Sequence, residues 1–267
     1  MYKRQVNVRW GLEGAFVADA LTFVVGALVA LPLRIDHEPA ERTGAWREFR
    51  EGLTLVRREP GLRWTFRAAG ATYLLWAFAG IVEPLYARDV LEVSETTFAM
   101  FQTVWGVGLV STELVLARVG DRIARPGYVA MGMLFAGAGA ALYMGTAWVW
   151  VAFVGVFLWG VDTAFFFTPT KTLLQRYSPV SAHGRIMSLN QTLEPAASIA
   201  MAPIASTAVA FASVQVLTLG AGGLIAVAGL AALRTSRTLP PPTERRTDPS
   251  AGSSRDAIAL GGAAPGS

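Results

Sequence analysis

A single aspartate, Asp162, stands inside the apolar stretch LWGVDTAFFFTPTK. A carboxylate in such surroundings is costly, and it is by default a candidate for function. Two uses suit the residue type: lining a cavity to hold a cation, or carrying a proton. A structural use is equally open, as a buried acid hydrogen-bonded to a neighbouring helix. Gly160 allows close packing beside it, Thr163 and Thr168 add hydroxyls, and Pro169 can interrupt a helix ladder. Glu194, followed by Pro195, is a second acid in apolar surroundings. Asn190 precedes it by one helical turn, so the two share a face with Met187. That face either lines a cavity or supplies polar packing between helices.

A third group is the run LARVGDRIARP, residues 116–126. Gly120, Asp121, Arg122 and Arg125 sit there between two long apolar stretches, with Arg118 just before them. An acid among arginines can form a charge-assisted network that breaks and re-forms as helices rock. A solvated turn without that role is the alternative. Glu113 is expected to pair with these arginines. Glu83, before Pro84, is expected to reach an interface, as are Asp19 and Lys171 by extending along apolar surface.

Other chemistries find no support in the residues. There are no cysteines, so disulfides and thiolate metal sites are excluded. His37 and His183 both fall in polar connections, which leaves no histidine cluster for a metal. With neither Cys nor intramembrane His, and no nucleophile–base pair, a membrane-embedded enzyme is not expected, nor is a cofactor. The glycines at 106 and 108, 137 and 139, and 220, 222 and 223 resemble a phosphate loop only superficially. None follows a strand or opens a soluble helix. Small residues that let membrane helices approach closely explain them better. Trp76, Phe78, Phe101, Phe165, Phe166 and Phe167 could form an aromatic pocket, but most suit core packing or lipid contact.

The elements that must position these residues are apolar. Of the 267 residues, 53% are hydrophobic and only 16% charged, and the mean hydropathy is +0.42. A soluble domain carries about 25% charged residues. Seven apolar runs are long enough to cross a bilayer of about 30 Å: residues 14–33, 64–86, 96–116, 127–145, 148–174, 186–208 and 214–233. The expected fold is all-α, a polytopic membrane helix bundle of about seven transmembrane helices. Asp162 lies about 14 residues into the fifth run, near the middle of the bilayer at 1.5 Å per residue. A closed barrel would need short alternating runs, and none occur.

Arginine sets the orientation. The connections after the first, third, fifth and seventh runs hold nearly all of it, from Arg34 to Arg63, at Arg118, Arg122 and Arg125, at Arg176 and Arg185, and at Arg234 and Arg237. The remaining connections hold Arg88 against Asp89, Glu92 and Glu95. Positive connections stay in the cytoplasm. Residues 1–13 are then extracytoplasmic and the C-terminus is cytoplasmic. The placement of the +4 charge makes the lipid bilayer the expected partner, and no nucleic acid. The first connection, 34–63, contains an amphipathic helix, with Trp46, Phe49, Leu53 and Val56 on one face. It is expected to lie on the membrane surface or against the cytoplasmic ends of the bundle. Residues 234–267 are rich in Pro, Gly, Ser and Ala and are expected to be a disordered tail.

The 116–126 turn resembles the cytoplasmic loop signature of the major facilitator superfamily, G-x-L-[AG]-D-[RK]-x-G-[RK]-[RK]. Gly120, Asp121, Arg122 and Arg125 keep its core, while Ala117, Ala124 and Pro126 depart from it. The stretch WREFREGLTLVRREPGLR is similar to the central linker of the family's drug- and siderophore-efflux branch. EPLYARDVLEVS is similar to the outer end of its seventh helix, and LLQRYSPVSAHGRIMSLNQ to the loop between its tenth and eleventh. The resemblance covers residues 14–233 and implies that the seven runs are helices 6–12 of a transporter. It implies residues 14–33 as the last helix of an N-terminal half and 64–233 as a six-helix C-terminal half. The expected activity is efflux of a small-molecule substrate by alternating access from the cell (inner or plasma) membrane, with Asp121 helping to hold a cytoplasmic gate. A whole transporter has two such halves. This chain is therefore expected to be a fragment whose partner is the missing N-terminal half, with non-native residues at 1–5. A non-transporting membrane remnant is the alternative.

Overall fold

The computed structural model describes residues 11–31 and 44–240, and divides the chain into one unit from Met1 to Gly44 and another from Ala45 to Ser267. Helix α1, Gly11–Ala30, belongs to the first unit, and its described side chains are exposed. The expectations for residues 1–10, His37 and residues 241–267, and for the side chain of Asp19, lie outside the described residues.

The second unit opens with α2, Ala45–Arg58. Only half of its expected apolar face packs. Val56 is buried, while Trp46 and Phe49 stack on each other with ring centroids 5.6 Å apart and stay exposed. The rest of α2 lies against the bundle. Glu51 takes Arg185 of the later helix α7 at 3.1 Å, and Gly52 sits so close to Leu189 that an added Cβ would fall 2.7 Å from its Cδ1.

Helix α3, Pro60–Asp89, begins four residues before the expected run. Proline at its first turn explains the early start, because the ring supplies a helical φ where no backbone donor is needed. Helix α4 spans Glu95–Val119, capped by the Ser94 hydroxyl, which accepts from the Thr97 N–H at 3.2 Å. It ends at Gly120, whose φ of +60° few other residues would tolerate. A short 3-10 turn, Gly120–Ile123, leads into α5, Pro126–Tyr143. Helices α6, Val149–Tyr177, and α7, His183–Ala208, follow, and α8, Val214–Ser236, closes the bundle. Pro169 does not break α6, and Pro195 and Pro203 stand inside a continuous α7.

Helix α5 packs on α6 and α8, α4 packs on α6, and α3 packs chiefly on α7. Among the described residues, α3, α4, α5, α6 and α8 are long and apolar enough to cross a membrane. Helix α7 has the length but not the apolarity: Asn190, Gln191 and Glu194 interrupt it. Many large apolar side chains face outward, among them Leu114, Ile199, Leu224 and Val227. In water these would be exposed apolar surface. In lipid they are solvated, and close packing holds the helices together.

Glycine provides that closeness at particular points. An added Cβ on Gly160 would fall on the Trp105 carbonyl oxygen, and one on Gly108 on that of Phe157, so α4 and α6 touch backbone to backbone. Gly137 and Gly222 play the same part between α5 and α8. Gly106, Gly220 and Gly223 meet open space, so the expected role holds for only some of the glycines.

The core forms two clusters. One, around Leu62, Phe166, Leu173 and Ile186, lies toward the arginine-bearing turns. The other, around Tyr86, Phe101, Tyr143 and Val156, lies toward the opposite end, where Trp148, Trp150 and Phe211 are exposed. Exposed aromatic side chains also stand at the arginine-bearing end, at Trp46 and Phe49, and aromatic residues at both ends with arginines concentrated at one are the pattern of a membrane-crossing bundle.

Candidate functional site

Asp162 is completely buried on α6. Its Oδ2 accepts the indole N–H of Trp76, from α3, at 3.1 Å. Its Oδ1 is buried and has no hydrogen-bond partner among the described residues. The next residue, Thr163, accepts the indole N–H of Trp105, from α4, at 3.3 Å, and donates to the Trp159 carbonyl at 2.7 Å. Successive helical residues point about 100° apart. The pair Asp162–Thr163 therefore ties α6 to two different neighbours through two indoles.

Those indoles are walls of a cavity of about 360 Å³, within the range of small-molecule sites. Trp159, Phe167, Glu83 and Glu194 also line it. Asp162 does not; it sits behind Trp76 rather than on the cavity surface. Trp76 is held edge-on to Tyr73 and Phe166, with centroids 5.8 and 4.9 Å away. A shift of that indole must therefore disturb the packed core around it.

Asn190 and Glu194 share a face of α7 directed toward Tyr73, but only Glu194 reaches the cavity. Asn190 is buried, and its Oδ1 has no partner among the described residues. The turn residues lie elsewhere, between α4 and α5. Gly120 caps α4, Arg122 and Arg125 are exposed, and the side chain of Asp121 lies outside the described residues. The turn and the cavity are thus separate features.

Several side chains stand where the sequence did not put them. Glu113 accepts the Thr168 hydroxyl at 2.7 Å across α4 and α6, so that contact, and not an arginine of the turn, is its hydrogen bond. Lys171 lies with Nζ 5.3 Å over the Phe167 ring. Glu83 is on the cavity wall, held by the Tyr143 hydroxyl at 2.8 Å. Trp105, Tyr143 and Trp159 were not foreseen either. They join the site from three helices, and no local spacing connects them. Of the six aromatic residues considered together, Trp76 and Phe167 face the cavity, whereas Phe78, Phe101 and Phe166 are core.

A family model described as Major Facilitator Superfamily matches residues 66–263. The chain belongs to the major facilitator superfamily. No curated protein and no solved structure matches it. A superfamily member is a membrane transporter, and this multi-pass chain carries outward apolar side chains on helices long and apolar enough to cross a membrane. The match takes in α3 to α8 from residue 66 onward, which includes every residue of the cavity and the arginine turn.

Proposed function

We propose that this superfamily member is an efflux-type secondary transporter that moves a small molecule by alternating access, with this chain as its C-terminal half and one helix of the other. In this reading it resides in the cell membrane with its C-terminus in the cytoplasm, and the N-terminal half completes the pathway. The efflux assignment is supported by the α2 linker, the α3–α4 connection and the α6–α7 connection, whose sequences are similar to that branch. The observation that carries the reading is the cavity bounded by α3, α4, α6 and α7 with a buried acid directly behind one wall. Asp162 carries the proton: its unpartnered Oδ1 can receive one while Oδ2 keeps the Trp76 bond. Glu194 and Asn190 form the polar face of α7 along the pathway. Asp121, with Arg122 and Arg125, gates the cytoplasmic side, and Gly120 sets the backbone of that turn.

The test is efflux of a compound panel from cells expressing the complete transporter, with and without a proton gradient. Asp162→Asn is expected to reduce efflux at least tenfold at unchanged expression. Unchanged efflux would remove Asp162 from the mechanism, and failure to move any compound would overturn the transporter reading.

A further inference from the structure

Glu83 receives both of its hydrogen bonds on one oxygen. The Tyr143 hydroxyl donates to Oε1 at 2.8 Å, and the Gln102 amide donates to the same atom at 3.4 Å. Oε2 is left for another partner, on a residue that lines the cavity. Glu194 adds a second carboxylate to the same lining. Among the described residues that line the cavity there is no Arg, Lys or His.

The indoles narrow the choice of ligand further. Trp76 and Trp105 have committed their N–H groups to Asp162 and Thr163. What they offer the cavity is ring surface, not a donor. An anion would meet two carboxylates and no opposing cation. A neutral polar molecule would find these two indole donors already in use. A cation with an apolar body meets a free carboxylate oxygen and aromatic faces together, and both attract it.

We propose that the cavity binds a monovalent organic cation, a protonated amine or an onium ion with a bulky apolar body. Its charge sits at Glu83 Oε2 and its body rests on Trp76, Trp105 and Trp159. This deepens the transporter reading above and rests on it for the ligand's fate, but the binding site itself is testable without transport. Asp162, behind Trp76, is a positioning residue for this site: it holds one wall and does not touch the ligand.

The test is equilibrium binding to the full chain in lipid nanodiscs, corrected with empty nanodiscs. Tetraphenylphosphonium is the probe, and tetraphenylborate is the same shape with opposite charge. The cation is expected to bind at least tenfold more tightly than the anion. Glu83→Gln keeps an oxygen for Tyr143 and Gln102, so the fold should survive, checked by its melting temperature. It is expected to weaken the cation at least tenfold, while Glu113→Gln, outside the cavity, leaves affinity unchanged. Equal binding of the two ions, or an unaffected Glu83→Gln, overturns the proposal. Efflux of some compound without any phosphonium binding would sink this inference and leave the transporter reading standing. Binding without efflux of any compound would do the reverse.

Discussion

Trp76 and Asp162 are joined across α3 and α6 by one hydrogen bond, indole Nε1 to Oδ2 at 3.1 Å, and the same indole is a wall of the cavity. The acid therefore senses the cavity through a ring rather than through solvent. Trp76→Phe keeps an aromatic surface but removes the donor, and it strips a buried carboxylate of its one hydrogen-bond partner among the described residues. Loss of such a bond costs about 1–3 kcal/mol. Asp162→Leu removes the acceptor together with its buried oxygens, so in that background Trp76→Phe leaves no carboxylate unpaired. The two changes are expected to be non-additive by about 1 kcal/mol or more in a double-mutant cycle of thermal unfolding in detergent. Strict additivity would mean that the bond contributes nothing to the fold.

The backbone contact between α4 and α6 is set by Gly160 against Trp105 and by Gly108 against Phe157. A methyl group at either place meets a carbonyl oxygen that belongs to a helix and cannot turn aside. Overpacking of this kind costs about 1–3 kcal/mol. Gly160→Ala is expected to lower the melting temperature and also to displace Trp105, since the clash is with that residue's own carbonyl. Gly106→Ala faces open space and should be neutral or stabilising by up to about 1 kcal/mol through helix propensity. Melting curves for the two variants side by side check the contrast, and similar values would rule out the close contact.

The α2 helix is anchored by packing more than by charge. Glu51 joins Arg47 at 2.9 Å and Arg185 at 3.1 Å, but all three are more than a third exposed. Exposed pairs contribute at most about 1 kcal/mol. Glu51→Gln should therefore loosen α2 only slightly. Gly52→Leu places a branched side chain where Leu189 already sits, and it is expected to lift the helix from α7. Hydrogen exchange over residues 45–58 measures both. A larger effect from Glu51→Gln than from Gly52→Leu would reverse this ranking.

The long helices were legible because a bilayer-spanning run of apolar residues is a one-dimensional signal. The run 127–145 corresponds to α5, Pro126–Tyr143, and 214–233 to α8, Val214–Ser236. The start of α3 was misplaced because Arg63 and Glu59 make Pro60–Arg63 look like linker, although Pro60 is a good first-turn residue. Asp162 stood out for the same one-dimensional reason, a charge with apolar neighbours. Glu83 did not, because its place depends on Gln102 and Tyr143, nineteen and sixty residues away in sequence. The role of Trp76 as a screen between Asp162 and the cavity depends on how α3 packs on α6. No periodicity within either helix encodes that.

Phe167 lines the cavity and also a second hollow of about 640 Å³ toward the arginine-bearing turns, where Glu113, Thr168 and Lys171 are its neighbours. One aromatic ring thus stands between two spaces on the same pair of helices, α4 and α6. Removing it should join them. The chain has no cysteine, so a single introduced one is a unique reporter. Gly80→Cys places a thiol on the cavity wall, at a position where an added Cβ meets nothing within 4 Å. A membrane-impermeant maleimide supplied from the side of the arginine-bearing turns should label it slowly in the parent chain. With Phe167→Ala added, labelling is expected to quicken at least tenfold, with the melting temperature confirming that the bundle remains folded. Equal rates in the two backgrounds would mean that Phe167 does not separate the two spaces.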